Sequence, residues 1–268
     1  VDAGAKQKTL DTAVKEFRAA LGKLDRKAPS DDDFAVANSS LLVLTKTLEP
    51  LDPKNPLLSA AIVDARAWER EGKQTITKRR TELDVAAQQA KVETTRNNAQ
   101  KIVDTFPNED AGDDTVKQAE DAVKRITEAL DQGTELTKQD RGYAAYDREV
   151  RKRVADFNKK IDAKKLQLFA AASRNELRAQ LDELKEKVTA ARAPASTDAD
   201  VQGALKQYDG ILAFIDGKQQ LAQQAGSFAS AVDKAYYELQ KRQESLVAAQ
   251  EEREIRRQTT DELNPGIA

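Results

Sequence analysis

The chain has 268 residues, of which 34% are charged and only 5% aromatic, and its 44 basic and 46 acidic side chains nearly cancel. That balance offers no field of one sign for a nucleic-acid backbone or an anionic membrane. The absence of Cys and His removes disulfides, cysteine nucleophiles, zinc-peptidase helices, Ser-His-Asp triads and the Glu-x-x-His pairs of di-iron bundles.

No apolar run approaches the roughly 20 residues of a membrane span, and the scattered glycines form no phosphate-binding loop. No cofactor and no metal are expected. Methionine is absent as well as Cys, which favours an extracytoplasmic setting, periplasm or cell surface, because thioethers and thiols are what oxidants attack. A cytoplasmic scaffold is the alternative. A chain that begins at Val1 reads as a processed or excised piece.

In chain order, Leu10, Val14, Phe17, Leu21 and Leu24 recur at spacings of three and four and predict a first helix with one apolar seam. Pro29 ends that segment, since a residue without an amide hydrogen closes a helix at no interior cost. Ser30 with Asp33 forms the start signal of a second helix, whose seam is Phe34, Ala37, Leu41, Leu44 and Leu48. After the Pro50, Pro53, Pro56 cluster, Ala60, Val63 and Ala67 open a third.

Sliding the sequence by 82 residues, then by a further 85, returns the same pattern. The first seam recurs as Val92, Arg96, Ala99, Val103, Phe106 and as Leu177, Leu181, Leu184, Val188, Ala191. The second recurs as Val116, Ala119, Val123, Ile126, Leu130 and as Val201, Ala204, Tyr208, Ile211, Ile215. Pro107 and Pro194, like Pro29, lie in the gap between first and second helices, Thr197 with Asp200 repeats the start signal, and Thr137 with Asp140 predicts another start. Third helices open with Tyr143, Tyr146, Val150 and with Ala229, Val232, Tyr236; beyond these openings they drift, with an insertion or deletion expected near Gly72.

From Lys73 to Phe106 and from Tyr143 to Ala193 there is neither Gly nor Pro. Each stretch therefore predicts one helix that serves as the third of one copy and the first of the next, the longer reaching about 75 Å at 1.5 Å per residue. Three amphipathic helices around a shared seam are the smallest arrangement that buries all three stripes. The expected fold is all-α: three tandem three-helix, coiled-coil-like bundles over residues 6–84, 85–168 and 169–256, joined by continuous helices into an elongated rod of about 120 to 150 Å. A charged, frayed tail over 257–268 completes it.

This layout resembles the spectrin-repeat family over residues 6–256, with heptad-patterned bundles in tandem whose last helix runs into the next. It departs in a shorter repeat and in the first-helix tryptophan position, held here by Phe17, Ala99 and Leu184, while Trp68 lies in a third helix. Bacterial surface proteins use similar modules as stalks and as binders of proteins or wall polymers.

Candidate sites are sparse. Arg148, Arg151, Lys152, Arg153, Lys159, Lys160, Lys164 and Lys165 are the densest basic stretch. Arg148, Arg151, Lys152, Lys159, Lys160 and Lys164 form the candidate face for an anionic partner, weighed against a solvated face interleaved with Asp147, Glu149, Asp156 and Asp162. Asp31, Asp32, Asp33, Asp113 and Asp114 lack the ligand spacing of a calcium loop and read as helix-start charges. Tyr143, Tyr146 and Tyr236 read as seam residues, with Tyr237 beside them, and Arg96 as a long stem lying along the seam. The expected function is a non-catalytic rod, spacer or scaffold, with other proteins of its assembly as partners. The alternative is a module that binds a protein or polymer through one helix face; an enzyme is third.

Overall fold

The structure, a computed structural model, describes residues 3–108 and 110–263, the side chains of 260–263 excepted. Among the described residues there are nine helices and no strand. They are α1 (Ala3–Leu24), α2 (Asp31–Leu48), α3 (Ser59–Val103), α4 (Asp113–Gln132), α5 (Thr134–Gln139), α6 (Arg141–Ala191), α7 (Asp198–Gly217), α8 (Gln219–Gln224) and α9 (Gly226–Leu263). The two expected connectors are continuous: α3 has 45 residues and α6 has 51. Helix also runs through 257–263 where fraying was expected; residues 264–268 lie outside the described ones.

Helix starts follow the local chemistry. Ser30 Oγ accepts from Asp33 N at 3.2 Å while Asp33 Oδ2 accepts from Ser30 N at 2.9 Å, a reciprocal pairing that satisfies two orphan amides at the head of α2. At α7, Asp200 Oδ2 accepts from both the amide and the hydroxyl of Thr197, at 2.6 and 2.7 Å. The expected start at Thr137 is corrected: Thr137 lies inside α5, and Asp140 itself heads α6, its Oδ1 accepting from Tyr143 N at 2.7 Å.

The chain divides into two compact units, Val1–Gln100 with Ala122–Ala155, and Lys101–Asp121 with Asp156–Ala268. In the first, α1, α2 and the front of α3 close on one core containing Leu10, Phe17, Leu24, Phe34, Leu44 and Ile62. The remainder of this unit buries Val92, Val123, Ile126, Leu130, Tyr143 and Val150. In the second, the rear of α6, α7, α8 and the front of α9 close on Leu177, Leu184, Val201, Ile211, Leu221 and Phe228. This unit also buries Val103, Phe106, Val116, Phe157 and Ile161.

Burial follows the predicted seams of the first and second helices of each copy. All second-helix seam residues are buried except Leu41 and Tyr208, half-buried at the same repeat position. In the first helices, Val14, Arg96 and Leu181 share one half-buried position. A charge is tolerated at Arg96 because that position is open at its edge in every copy.

The third helices need correction. Ala60, Val63, Ala67 and Tyr236 are exposed, and the buried series in the outer copies is Leu58, Ile62, Ala65 and Phe228, Val232, Ala235. With this phase the third helices hold register at 85 residues throughout: Leu58, Tyr143, Phe228; Ile62, Asp147, Val232; Gly72, Phe157, Arg242; Ile76, Ile161, Leu246; Arg79, Lys164, Ala249. The length change is therefore not near Gly72. It lies between the second and third helices, where Leu48 and Leu58 bracket a proline-rich turn three residues shorter than the stretches holding α5 and α8.

Two glycines serve close approach. A Cβ on Gly72 would sit 2.2 Å from Phe17 Cζ, and one on Gly133 would sit 2.1 Å from the Tyr143 hydroxyl oxygen. The register pairs Phe17 with Gly72 in the first copy and assigns Ala99 and Phe157 to the same two positions in the second.

Candidate functional site

The side chains that interrupt the third-helix seams have a common use. Arg79 donates from Nε to Leu24 O at 3.1 Å and from Nη2 to Arg26 O at 2.7 Å. At the equivalent position in the next copy, Lys164 is 5% exposed and its Nζ donates to Phe106 O at 2.8 Å and Asn108 O at 3.3 Å. The third copy has Ala249 there. Its latch comes one and two turns later: Arg253 donates to Ser196 O and pairs with Asp198 at 2.7 Å, and Arg256 donates to Pro194 O at 2.8 Å. In each case a cation of the third helix donates to carbonyls at or just beyond the end of the first helix: Leu24 closes α1, whereas Arg26, Phe106, Asn108, Pro194 and Ser196 lie in the turns that follow α1, α3 and α6.

A second polar group is confined to the first unit. Asp147 is 8% exposed at a position held by Ile62 and Val232 in the other copies. Its Oδ2 accepts from Arg151 Nε at 2.9 Å, and Arg151 Nη2 reaches Asp131 at 2.9 Å. Asp147 Oδ1 and the Tyr143 hydroxyl are buried without a hydrogen-bond partner. Gln88 stands by the phenol but gives its amide to Ala129 O. Burial, with the Asp147 carboxylate adding, pushes the Tyr143 phenol above its ordinary range. Nearly one turn on, Tyr146 donates to Glu93 at 2.9 Å, and Glu93 pairs with Arg96 at 2.5 Å. Burial first, then Glu93, pushes the Tyr146 phenol up as well. The Arg96 guanidinium is thus tied to a carboxylate one turn back. Chemically this is a polar layer with two phenols and one carboxylate inside and its cations at the edge; it distinguishes the second copy from the other two.

The candidate basic residues differ in their surroundings along α6. On the helical period of α6, Arg148, Lys152 and Lys159 share a stripe. Arg151 turns aside to Asp147 and Asp131, Lys160 lies about a third of a turn away, and Lys164 is withdrawn into the latch, which corrects its place on an exposed face. Lys159 approaches Asp156 at 3.8 Å, and Lys165 pairs with Glu120. Asp33 is committed to its helix start and Asp31 to Arg80 at 2.5 Å. No group of three or more metal-ligating side chains occurs among the described residues, and none of their helices is long and apolar enough to cross a membrane.

Of the aromatic residues, Tyr143 and Tyr146 are in the packing as expected, whereas Tyr236 and Tyr237 face solvent, the latter under Lys241 at 4.3 Å. Trp68 carries the Arg18 guanidinium 4.4 Å from its ring centre. Sequence reasoning missed the latches and Asp147. The signal was present in the 85-residue spacing of Arg79 and Lys164, but it becomes readable only once the third-helix phase is known. Comparison with known protein families, curated proteins and solved structures gave no match.

Proposed function

We propose that this chain is a non-catalytic structural spacer or scaffold, a rod of tandem helical repeats within a larger cell-surface, periplasmic or cytoskeleton-like assembly. The observation that carries the reading is the continuity of α3 and α6, which have no proline and, from Lys73 to Val103 and from Tyr143 to Ala191, no glycine. An unbroken ladder of backbone hydrogen bonds resists bending, so a helix shared between two bundles transmits load from one to the next. The cationic latches support the same reading, because they tie down the bundle ends where fraying would begin. The lack of imidazole and thiol groups supports a role without catalysis, and the lack of oxidisable sulfur supports an extracytoplasmic address. The spectrin-like layout belongs to this proposal too.

Small-angle scattering in dilute solution, with mass determined in line, tests the rod. The expected maximum dimension is about 120 to 150 Å, and Ala172→Pro in α6 is expected to shorten it by kinking the connector. A compact particle, or a proline variant of unchanged length, would remove the basis for a spacer.

A further inference from the structure

The outer face of α2 differs from its counterparts in the other two copies. Opposite the buried seam, a stripe of Asp32, Ala35, Val36, Ser39, Leu42, Val43 and Lys46 is open to solvent, with Val36 42%, Leu42 55% and Val43 50% exposed. At the same repeat positions α4 presents Lys117, Asp121, Lys124, Arg125 and Glu128, an ordinary solvated face, and α7 presents Gln202, Lys206, Asp209 and glycines with no large apolar side chain. From Phe34 to Thr45 α2 has no charge at all. Asp32, Ala35, Ser39, Leu42 and Lys46 follow one another at spacings of three and four, so α2 carries a second heptad seam, directed outward. Beside it lies a shallow groove between α1 and α2, lined by Thr9, Thr12, Ala13, Val43 and Thr47 with Lys8 and Glu16 at its ends.

The stripe is arranged symmetrically about Ser39. Moving outward from that residue in both directions pairs Val36 with Leu42, Ala35 with Val43, and Asp32 with Lys46. A helix with this property matches itself when a second copy is laid against it antiparallel, with the twofold axis at Ser39. The small residues at the crossing let the backbones approach, the apolar pairs meet on either side, and each Asp32 meets the partner's Lys46. The helix dipoles also oppose. A parallel arrangement would set Asp32 against Asp32 and Lys46 against Lys46. Within the chain, neither Asp32 nor Lys46 makes an ion pair among the described residues, which leaves both charges available.

We infer that two copies of this chain associate through α2 as an antiparallel, twofold-symmetric helix pair centred on Ser39. A contact one helix wide and about 27 Å long belongs with small, reversible interfaces below about 1,200 Å² in total, so the dimer forms as concentration rises and dissociates on dilution. This symmetry depends on α2 alone and stands whether or not the chain is a rod.

Sedimentation equilibrium of the full chain from about 1 to about 200 μM, together with oxidative cross-linking, tests the inference. The wild type is expected to pass from monomer to dimer, and Leu42→Glu, on an exposed position that leaves the fold intact by circular dichroism, to weaken association at least tenfold. Asp32→Lys alone and Lys46→Asp alone should each weaken it, and the two combined should restore it, which a parallel pair would not do. Because the chain has no cysteine, Ser39→Cys should give a disulfide-linked dimer readily, while Lys46→Cys, held far from its symmetry mate, should not. A wild type that stays monomeric across the range overturns the inference and leaves the face to a different protein. Equal cross-linking at residues 39 and 46 overturns the antiparallel geometry.

Discussion

Gly72→Ala sets two effects of known size against each other. In the interior of α3 the exchange gains about 1 kcal/mol of helix propensity. The added Cβ, however, would lie 2.2 and 2.3 Å from two ring carbons of Phe17 and 3.1 Å from Leu21 Cδ1, against a contact optimum of about 3.5–4.0 Å. Phe17 is fully buried in the first core, so its ring moves only by displacing neighbours, and overpacking of this kind costs about 1–3 kcal/mol. The clash wins, with a net loss of about 1 kcal/mol. Phe17→Leu, the residue that Leu184 supplies at this position in the third copy, should relieve it when combined with Gly72→Ala. Trp68, the single tryptophan, sits one turn before Gly72 and packs against the same core, so its fluorescence in a urea titration reports on the first bundle alone. With a slope of about 1–2 kcal/mol per molar urea the midpoint should fall by about 0.5–1 M. The double variant should be more stable than the sum of the two single changes. A midpoint that rises for Gly72→Ala, or strict additivity in the pair, would show that the glycine is not reserved for the Phe17 ring.

Further outcomes follow from the polar groups. Lys164→Met keeps the stem and removes the ammonium that caps Phe106 and Asn108; a loss of about 1–3 kcal/mol is expected in thermal unfolding, with Lys164→Arg close to wild type because Arg79 does this work in the first copy. Asp147→Val installs the residue of the third copy and removes a buried oxygen without a partner. It should stabilise by about 1–3 kcal/mol, and a lower melting temperature would mean that Asp147 is needed to hold Arg151 against Asp131. Asp33 and Asp200 accept bonds from their cap residues, which lowers both carboxyls below the ordinary aspartate range. The folded state therefore binds fewer protons than the unfolded one, and this contribution is present above the ordinary aspartate value and lost as pH falls through the depressed ones. Helicity at 222 nm should decline below about pH 4, less steeply in Asp33→Asn with Asp200→Asn.

The first and second helices of each copy were legible from sequence because their seams are built from apolar side chains at heptad spacing, and burial in a bundle is dictated by that spacing alone. The connectors were legible for a similarly local reason, since only Gly or Pro would have interrupted them. The third helices were not. Their seams contain Gly72, Arg79, Asp147 and Lys164, which read as solvent positions, so apolar matching slid to Ala60, Val63 and Ala67. What those residues do depends on carbonyls and carboxylates brought to them by folding: Arg79 and Lys164 meet carbonyls at or just past helix ends, more than fifty residues away in sequence. Gly72 is explained only by the ring that fills its place. A cation's partner is set by distance in space, which a linear pattern does not carry. Hydrophobic periodicity therefore determined that this chain is helical, repeated and continuous across its repeats, while tertiary structure decided which polar side chains close the bundles and which helix face is left open to a second copy.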